Sequence, residues 1–386
     1  MKLSLSNTML LGAAAVAMTA TTATTAMAGD VMLPKTLVTT AYNTGTSGYS
    51  QMVAVGAMLK NKYGINLRVL PGKNDVSRLS PVKKGVAQFT ATGSDSVYAQ
   101  EAVYTFGKKA WGPMPVRLLL LNRSAGCTTF AVANDIGVKT MADLKGKRIG
   151  WVRGSPALQK AAEALLAYGG VGLDEIEKVE VGGWGASING IINGNIDASI
   201  TASQSTFMLK MEASPRGVYH PPMPFADKAG WARTQKLVPW YVQGICTDGP
   251  GVPGGRSEAV ASVYPILIST TATSDDIAYG MTKAMVEGFD DFKDGAPGAK
   301  GWALGQQMDD FYLPFHPGSM KFLKEVGRWN DKAEANQAKM LKRQAVLKTA
   351  WDAHKANPGS DFNTGWMKAR ATALAAAGMP VIFETW

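Results

Sequence analysis

The stretch TLVTTAYNTGTSGYSQMVAVGAMLKNKY, residues 36–63, predicts a β-strand that continues through a glycine-rich turn into an α-helix. Residues 36–42 are mainly β-branched or aromatic, a composition that favours a strand. Beyond the turn, apolar side chains recur at the spacing of one helical face, as in Met52, Val55 and Leu59. The fold therefore begins with a βα unit whose turn lies where the strand ends and the helix begins.

The alternation of strands and helices continues along the chain and restarts after about residue 133. An alternating order implies mostly parallel sheets with helices on their faces. We therefore predict an α/β fold of two lobes, joined by crossing strands and separated by a cleft in which open sheets bind ligands. The predicted strands are residues 65–70, 86–92, 116–121, 128–133, 148–152, 178–181, 198–201 and 263–273, and the predicted helices are 49–63, 75–84, 96–105, 155–168, 187–193, 274–289 and 317–325.

The domain organisation predicted from this order has four parts. A signal peptide precedes lobe I, lobe II is inserted into lobe I, and a C-terminal extension of one or two amphipathic helices packs on a lobe. The predicted boundaries are 1–28 for the signal peptide, 29–125 plus 256–328 for lobe I, 126–255 for lobe II and 329–386 for the C-terminal helical extension.

The first 28 residues have the three parts of a secretory signal peptide. Lys2 is basic, residues 9–20 are apolar, and Ala26 and Ala28 are the small residues read by a signal peptidase. The apolar run of 12 residues is shorter than the ~20 that a membrane span needs. We expect cleavage after Ala28 and a soluble, periplasmic mature chain that does not itself insert into the membrane.

Composition limits the classes of function. The formal net charge is +10, but the excess basic residues are scattered and lack the interleaved aromatics of a nucleic-acid surface, so no nucleic-acid partner is expected. Three His and two Cys argue against a zinc-rich or thiol-based protein, and we expect neither a metal nor a cofactor. Cys127 and Cys246 could form one disulfide in an oxidising compartment or remain two separate buried thiols.

Four polar turns at strand ends are the candidate ligand site. In the first, glycines allow close backbone approach, and the helix N-terminus presents N–H groups that attract anions. In the second, Arg153 could form a charge-assisted pair with a carboxylate. The structural alternatives are a tight turn with an N-cap for the first, a cap with a solvated Arg153 for the second, and a simple N-cap for Asp95. The predicted binding residues are Asn43, Thr44, Gly45, Thr46, Ser47, Gly48 and Tyr49; Ser94, Asp95 and Ser96; Arg153, Gly154, Ser155, Pro156 and Ala157; and Ser203, Gln204 and Ser205.

The sequence does not predict catalytic residues. It contains no GxSxG, HExxH or Walker motif and no cysteine with a nearby histidine partner. The glycines at 249, 251 and 254 match GxGxxG but lie among prolines without a strand–turn–helix context. His220 and His316 lie in proline-bounded turns, which favours structural roles.

Five ordered segments resemble the TAXI-type extracytoplasmic solute receptors of TRAP transporters. The resemblance covers residues 36–328, and two of its departures, at Ser47 and at residues 203–205, fall on expected ligand contacts. The segments are the first turn at 43–49, IGVKTMADLKGKRIGW at 136–151, NGNIDA at 193–198, AYGMTKA at 278–284 and LPFHPGSMKFLKEVG at 313–327.

The resemblance implies a two-lobed periplasmic binding protein of the type II-like class, without enzymatic activity. It would bind a small organic anion, such as a carboxylate, keto acid or amino acid, between its lobes. Its partners would be that solute and the membrane-embedded TRAP permease subunits. A binding protein of an ABC-type importer and a secreted enzyme using the same cleft are the alternatives.

Overall fold

The computed structural model describes residues 31–261 and 263–383 of the chain, so the predicted signal peptide lies outside the described residues. The strands are β1 (Thr36–Ala41), β2 (Asn66–Pro71), β3 (Phe89–Thr92), β4 (Val116–Leu121), β5 (Cys127–Val132), β6 (Arg148–Val152), β7 (Glu177–Val181), β8 (Ala198–Ala202), β9 (Gln243–Cys246), β10 (Ser257–Ala261) and β11 (Ile266–Thr270). The α-helices are α1 (Ser47–Tyr63), α2 (Asp75–Lys83), α3 (Asp95–Glu101), α4 (Pro156–Tyr168), α5 (Trp184–Ile192), α6 (Thr206–Glu212), α7 (Lys228–Leu237), α8 (Asp275–Glu287), α9 (Phe289–Phe292), α10 (Pro317–Glu325), α11 (Asp331–Ala356) and α12 (Phe362–Ala376).

The strands form two sheets, and the predicted α/β fold of two lobes is confirmed. The first lobe is built on five strands in the order β2-β1-β3-β11-β4, and the second on six in the order β7-β6-β8-β5-β10-β9. β1 pairs in parallel with β2 and β3, as β6 does with β7 and β8. Parallel neighbours need a crossover connection, which the helices between them supply.

Two short segments connect the lobes. The chain leaves the first sheet after β4, enters the second at β5, and returns between β10 and β11. β10 pairs with β5 and β9, so residues 257–261 lie in the second sheet, although the predicted boundary assigned them to lobe I. The domain division itself stays a prediction, and this pairing moves its second crossing to the segment between Ala261 and Ile266.

Successive side chains of a strand point to opposite faces of its sheet, so one strand can supply apolar side chains to the cores on both faces. In β4, Leu118 packs into the apolar cluster on one face of the first sheet and Leu119 into the cluster on the other. Helices α11 and α12, within the predicted C-terminal extension, contribute Trp351 and Trp366 to the cluster that contains Leu118. This part of the chain therefore belongs to the core of the first lobe.

Neither membrane spans nor metal clusters are found among the described residues. No described helix has an apolar stretch long enough to cross a membrane. No group of three or more His, Cys, Asp or Glu side chains in residues 31–261 and 263–383 is arranged to hold a metal ion.

Candidate functional site

A cavity of about 300 Å³ lies between the two lobes. Its lining comes from strand ends and helix starts of both sheets, from both crossing segments, and from residues 308–312. Six of the sequence-predicted residues line it, and they come from all four predicted turns: Asn43, Thr46, Ser94, Ser155, Ala157 and Ser205.

The other predicted residues lie around the cavity without lining it. Thr44 and Arg153 are exposed. The carbonyl oxygen of Arg153 accepts a hydrogen bond from Asn74 Nδ2 of the first lobe at 3.1 Å, and a ligand contact through the Arg153 side chain stays a prediction. The remaining residues outside the lining are Gly45, Ser47, Gly48, Tyr49, Asp95, Ser96, Gly154, Pro156, Ser203 and Gln204.

The first turn is closed by the protein itself. The Thr46 hydroxyl caps α1 by accepting a hydrogen bond from the Tyr49 N–H. A Cβ at Gly48 would lie 2.8 Å from the Tyr42 ring and 2.9 Å from the Tyr264 hydroxyl, so only glycine fits there. Burial raises the pKa of Tyr264 to about 12, against the opposing charge of Arg78. The start of α1 is thus covered by Tyr264, a cavity-lining residue that the sequence did not predict.

A buried charged trio borders the cavity. Arg78 Nη2 donates to Asp75 Oδ1 at 2.6 Å and to Asp95 Oδ2 at 3.0 Å, and the guanidinium lies 3.9 Å from the centre of the Tyr42 ring. With both acids ionised, the trio carries a net charge of −1. Burial and the charge of Asp95 raise the pKa of Asp75 to about 6, against the opposing charge of Arg78.

The carboxylate of Asp75 occupies the start of α4 in the other lobe. The Ser155 hydroxyl donates to Asp75 Oδ1 at 2.6 Å, and the Ala157 N–H donates to Asp75 Oδ2 at 2.8 Å. The sequence predicted a ligand anion at this helix end, with Ser155 as the cap. Instead Ser155 makes no side-chain cap, and the first lobe supplies the anion.

The two remaining turns are also internally bonded. Ser94 Oγ accepts from Trp240 Nε1 at 3.1 Å, and Ser96 Oγ donates to the Gly93 carbonyl at 2.5 Å. Ser203 Oγ accepts from the Cys127 N–H and donates to the Asp248 carbonyl, while Gln204 Nε2 donates to Asp248 Oδ2. Ser203 therefore binds backbone groups of the second lobe, whereas Gln204 binds the side chains of Asp248 and Ser124.

Aromatic side chains form much of the remaining lining, and the sequence reasoning missed them. Trp184 begins α5 directly after a strand end, a position that could have signalled it, and its Nε1 donates to the Ile200 carbonyl at 2.7 Å. Trp240 lies in the loop after α7, 5.3 Å from Tyr312 between ring centres. Phe383 lies 6.0 Å behind Trp240, so the end of the described chain supports this wall.

Two cations of the lining remain without an ion pair among the described residues. Lys73 and Arg123 both line the cavity and are exposed, so they lie where the cavity meets solvent. Asp310, also in the lining, pairs with Lys332 at 2.8 Å. Lys73 and Arg123 are therefore the groups through which an anion can gain an ion pair without displacing an internal one.

The cysteines and histidines have structural positions outside the lining. Cys127 and Cys246 form a disulfide with a Cα–Cα distance of 5.3 Å, so the alternative of two separate thiols does not hold. His220 Nδ1 lies 2.8 Å from the Phe130 carbonyl oxygen, and burial lowers its pKa. His316 accepts from the Gly318 N–H at the start of α10.

Comparison with known proteins identifies the fold. A periplasmic transporter shares 15% identity, with 81% of this chain and 98% of that chain covered and a TM-score of 0.50. The periplasmic aliphatic sulphonate binding protein SsuA of Escherichia coli shares 13%, with 91% of each chain covered and a TM-score of 0.44. The periplasmic sulfonate-binding protein SsuA of a putative sulfonate ABC transporter from Methylobacillus flagellatus KT shares 14%, with 80% and 94% covered and a TM-score of 0.38. At 15% identity and a TM-score of 0.50, the similarity to the periplasmic transporter shows the fold alone, in agreement with the predicted α/β architecture.

Sequence comparison gives the family. No curated protein matches the chain. The assignment to TAXI-type TRAP receptors stays a prediction. A model of the NMT1-like family matches residues 38–327, well over half of the sequence, and the chain therefore belongs to the NMT1-like family.

Proposed function

We propose that the chain is a periplasmic solute-binding protein that carries a small organic anion to a membrane importer. The observation that carries the proposal is the cavity lined by both lobes. A solute enclosed there contacts both lobes at once and so binds the closed arrangement more tightly than an open one. The two crossing segments are the hinge about which the lobes would open.

The solute contacts that we propose are the six predicted residues in the lining, together with the aromatic wall and the exposed cations. Ser203 and Gln204 act indirectly, through the hydrogen bonds that hold their turn. Lys73 and Arg123 favour an anionic solute, and carboxylates, keto acids and amino acids all satisfy that requirement. A solute receptor of this kind binds and releases its ligand unchanged, so no residue is assigned a catalytic role.

The importer that we propose is of the ABC type, the alternative to the TRAP type that the sequence segments resemble. One of the proteins of similar fold is named as a component of an ABC transporter. The genes that flank this one distinguish the two, because an ABC importer has an ATP-binding subunit and a TRAP permease has none. Solute-dependent stimulation of ATP hydrolysis by the reconstituted neighbour complex would establish the ABC type, and solute uptake driven without an ATPase would establish the TRAP type.

A thermal-shift screen of the mature chain against organic acids tests the function. A solute that binds the native state raises the melting temperature, by an amount that grows with its concentration. Calorimetry should then give a one-to-one complex, from which the solute is recovered unchanged. Turnover of the bound solute would show that the protein is an enzyme and not a receptor. The absence of binding across the library would contradict the proposal.

A further inference from the structure

We infer that the solute is a monoanion with an aromatic or similarly flat apolar body, rather than a small dicarboxylate. The inference rests on the proposed function and concerns the same cavity. Three observations carry it: the occupied helix ends, the balance of charges around the lining, and the aromatic wall.

Two helix starts at the cavity, those of α1 and α4, are already covered by groups of the protein. Asp75 uses both carboxylate oxygens at the start of α4, where it takes the Ser155 hydroxyl and the Ala157 N–H. Tyr264 covers the start of α1. A ligand carboxylate at either position would have to displace a buried group of the protein, and at α4 that group carries the same charge.

The cations without an ion pair lie at the exposed edge of the cavity. Lys73, Arg78 and Arg123 contribute positive charge to the lining and Asp75 and Asp310 negative charge, but Asp310 pairs with Lys332, and Asp75 and Asp95 both bind Arg78. The deep part, around Arg78, holds two carboxylates against one guanidinium and disfavours an anion. An acid group therefore belongs beside the exposed Lys73 and Arg123, and a second acid group lacks a matching cation deeper in the cavity.

The aromatic wall of the lining is apolar and flat. The indole N–H groups of Trp184 and Trp240 both donate to protein acceptors, so their rings offer a ligand only carbon surfaces. Tyr312 and Phe311 continue this wall, and aromatic pairs add to the gain from buried area. A cavity of about 150 Å³ accommodates benzene. The volume here, about 300 Å³, has room for a ring with a short acid chain.

Calorimetry on the mature chain with 3-phenylpropionate, its amide, glutarate and glutamate tests the inference. We expect 3-phenylpropionate to bind at least tenfold more tightly than glutarate or glutamate, and its amide to bind more weakly because it loses the charge beside Lys73 and Arg123. Equal or tighter binding of glutarate or glutamate would overturn the aromatic class and leave the receptor function intact. Equal binding of the amide would contradict the proposal that the solute needs an acid group. If none of the four binds, the inference fails, and the organic-acid screen then decides whether the receptor function fails with it.

Tryptophan variants separate the effect of the aromatic wall on ligand affinity from effects on the stability of the fold. Trp240→Leu keeps an apolar side chain but removes the ring, and we expect at least a tenfold loss of 3-phenylpropionate affinity. Trp329→Leu, outside the lining, is the matched control and should leave affinity within twofold. Should Trp240→Leu fail to fold, Tyr312→Leu tests the same wall. Unchanged affinity in a folded wall variant would overturn the role of the ring.

Discussion

Asp75 connects the lobes through both oxygens of one carboxylate. Three donors converge on it: the Arg78 guanidinium, the Ser155 hydroxyl and the Ala157 N–H. An amide in the same place has a single acceptor oxygen and an NH₂ group that would face the remaining donors. The junction of the lobes therefore depends on this side chain being an acid.

Asp75→Asn should lower the stability of the folded chain. Hydrogen bonds to charged groups contribute about 1.5–3 kcal/mol each, so we expect a loss of about 2 kcal/mol at pH 7.5, where Asp75 is ionised. Urea unfolding measures it. Asp294→Asn, at an exposed ion pair with Lys300, is the control and should cost under about 1 kcal/mol. Equal effects of the two substitutions would contradict the role given to Asp75.

The pH dependence of that loss follows from the raised pKa of Asp75. Its pKa is about 6 in the folded chain against an ordinary 3.8, so between these values the folded state binds the proton that the unfolded state has released. Stability from this group therefore increases as pH falls from 7.5 to 5, by roughly 1 kcal/mol. The stability difference between wild type and Asp75→Asn isolates this group and should be larger at pH 5. A difference that is the same at both pH values would contradict the raised pKa.

Gly48 is required by the approach of two tyrosines to the first turn of α1. Gly48→Ala places a Cβ within 2.9 Å of the Tyr42 ring and the Tyr264 hydroxyl, and we expect a loss of about 1–3 kcal/mol. Gly56→Ala in the same helix is the matched control, because its Cβ would have ordinary contact with Leu67 at 3.5 Å. That control should be neutral or stabilise by up to about 1 kcal/mol, since alanine favours helix. A loss at Gly56 as large as at Gly48 would instead indicate a general effect on the helix.

At the scale of elements, local patterns predicted β1, α1 and α4 well. Their strand composition, helical spacing and glycine stops act within a few residues. The same reasoning missed β9 and α7, because it predicted no strand or helix between residues 201 and 263. β9, with the sequence QGIC, is a strand because it pairs with β10, and α7 packs on α4. Such elements depend on pairing and packing partners outside their own segment, which a local pattern does not contain.

The candidate site likewise has features that the local sequence predicts and features that it does not. The four polar turns were predictable because strand ends and helix starts are local features, and each contributes to the lining. Tyr264, Trp240 and Tyr312 were missed because the chain brings them to the cavity from distant segments. The internal use of polar groups, above all by Asp75, was unpredictable because the fold alone decides which donors face each carboxylate.

Helices α11 and α12 are fixed to the first lobe by a buried ionic cluster. Glu101 on α3 accepts from Arg343 at 2.5 and 3.0 Å and from Arg370 at 2.5 Å. Burial acts to raise the pKa of Glu101, but Arg370 and Arg343 outweigh it, and the pKa is lowered. Two guanidiniums from two helices therefore share one carboxylate in the core.

Glu101→Gln should destabilise the chain strongly, because it leaves two buried cations without their anion. Removing one partner of a buried ion pair costs about 3–5 kcal/mol. Asp352→Asn, at an exposed pair with Lys348 on α11, is the control and should change stability by under about 0.5 kcal/mol. Denaturant unfolding of both variants measures the difference. A loss below about 1 kcal/mol for Glu101→Gln would mean that apolar packing alone holds these helices.

At the scale of the whole molecule, the disulfide lies at a structurally central place. Cys127 begins β5 directly after the chain crosses from the first lobe, and Cys246 ends β9, on the opposite side of β10 in the sheet. The bond joins residues 119 apart in sequence and so encloses almost all of the second lobe. It restricts the unfolded chain far more than it adds contacts to the folded one.

The double variant Cys127→Ser/Cys246→Ser should therefore lose stability without losing its fold. Closing a loop of this length is worth about 4–5 kcal/mol in the chain-entropy model, and measured losses for native disulfides are about 2–5 kcal/mol. We expect a lower urea midpoint for the variant, with an unchanged circular dichroism spectrum in the absence of urea. The wild-type chain, unfolded without reductant, should give no reaction with a thiol reagent. Two reactive thiols in that assay would contradict the bond, and an unchanged midpoint in the variant would mean that the second lobe is held by its sheet and core alone.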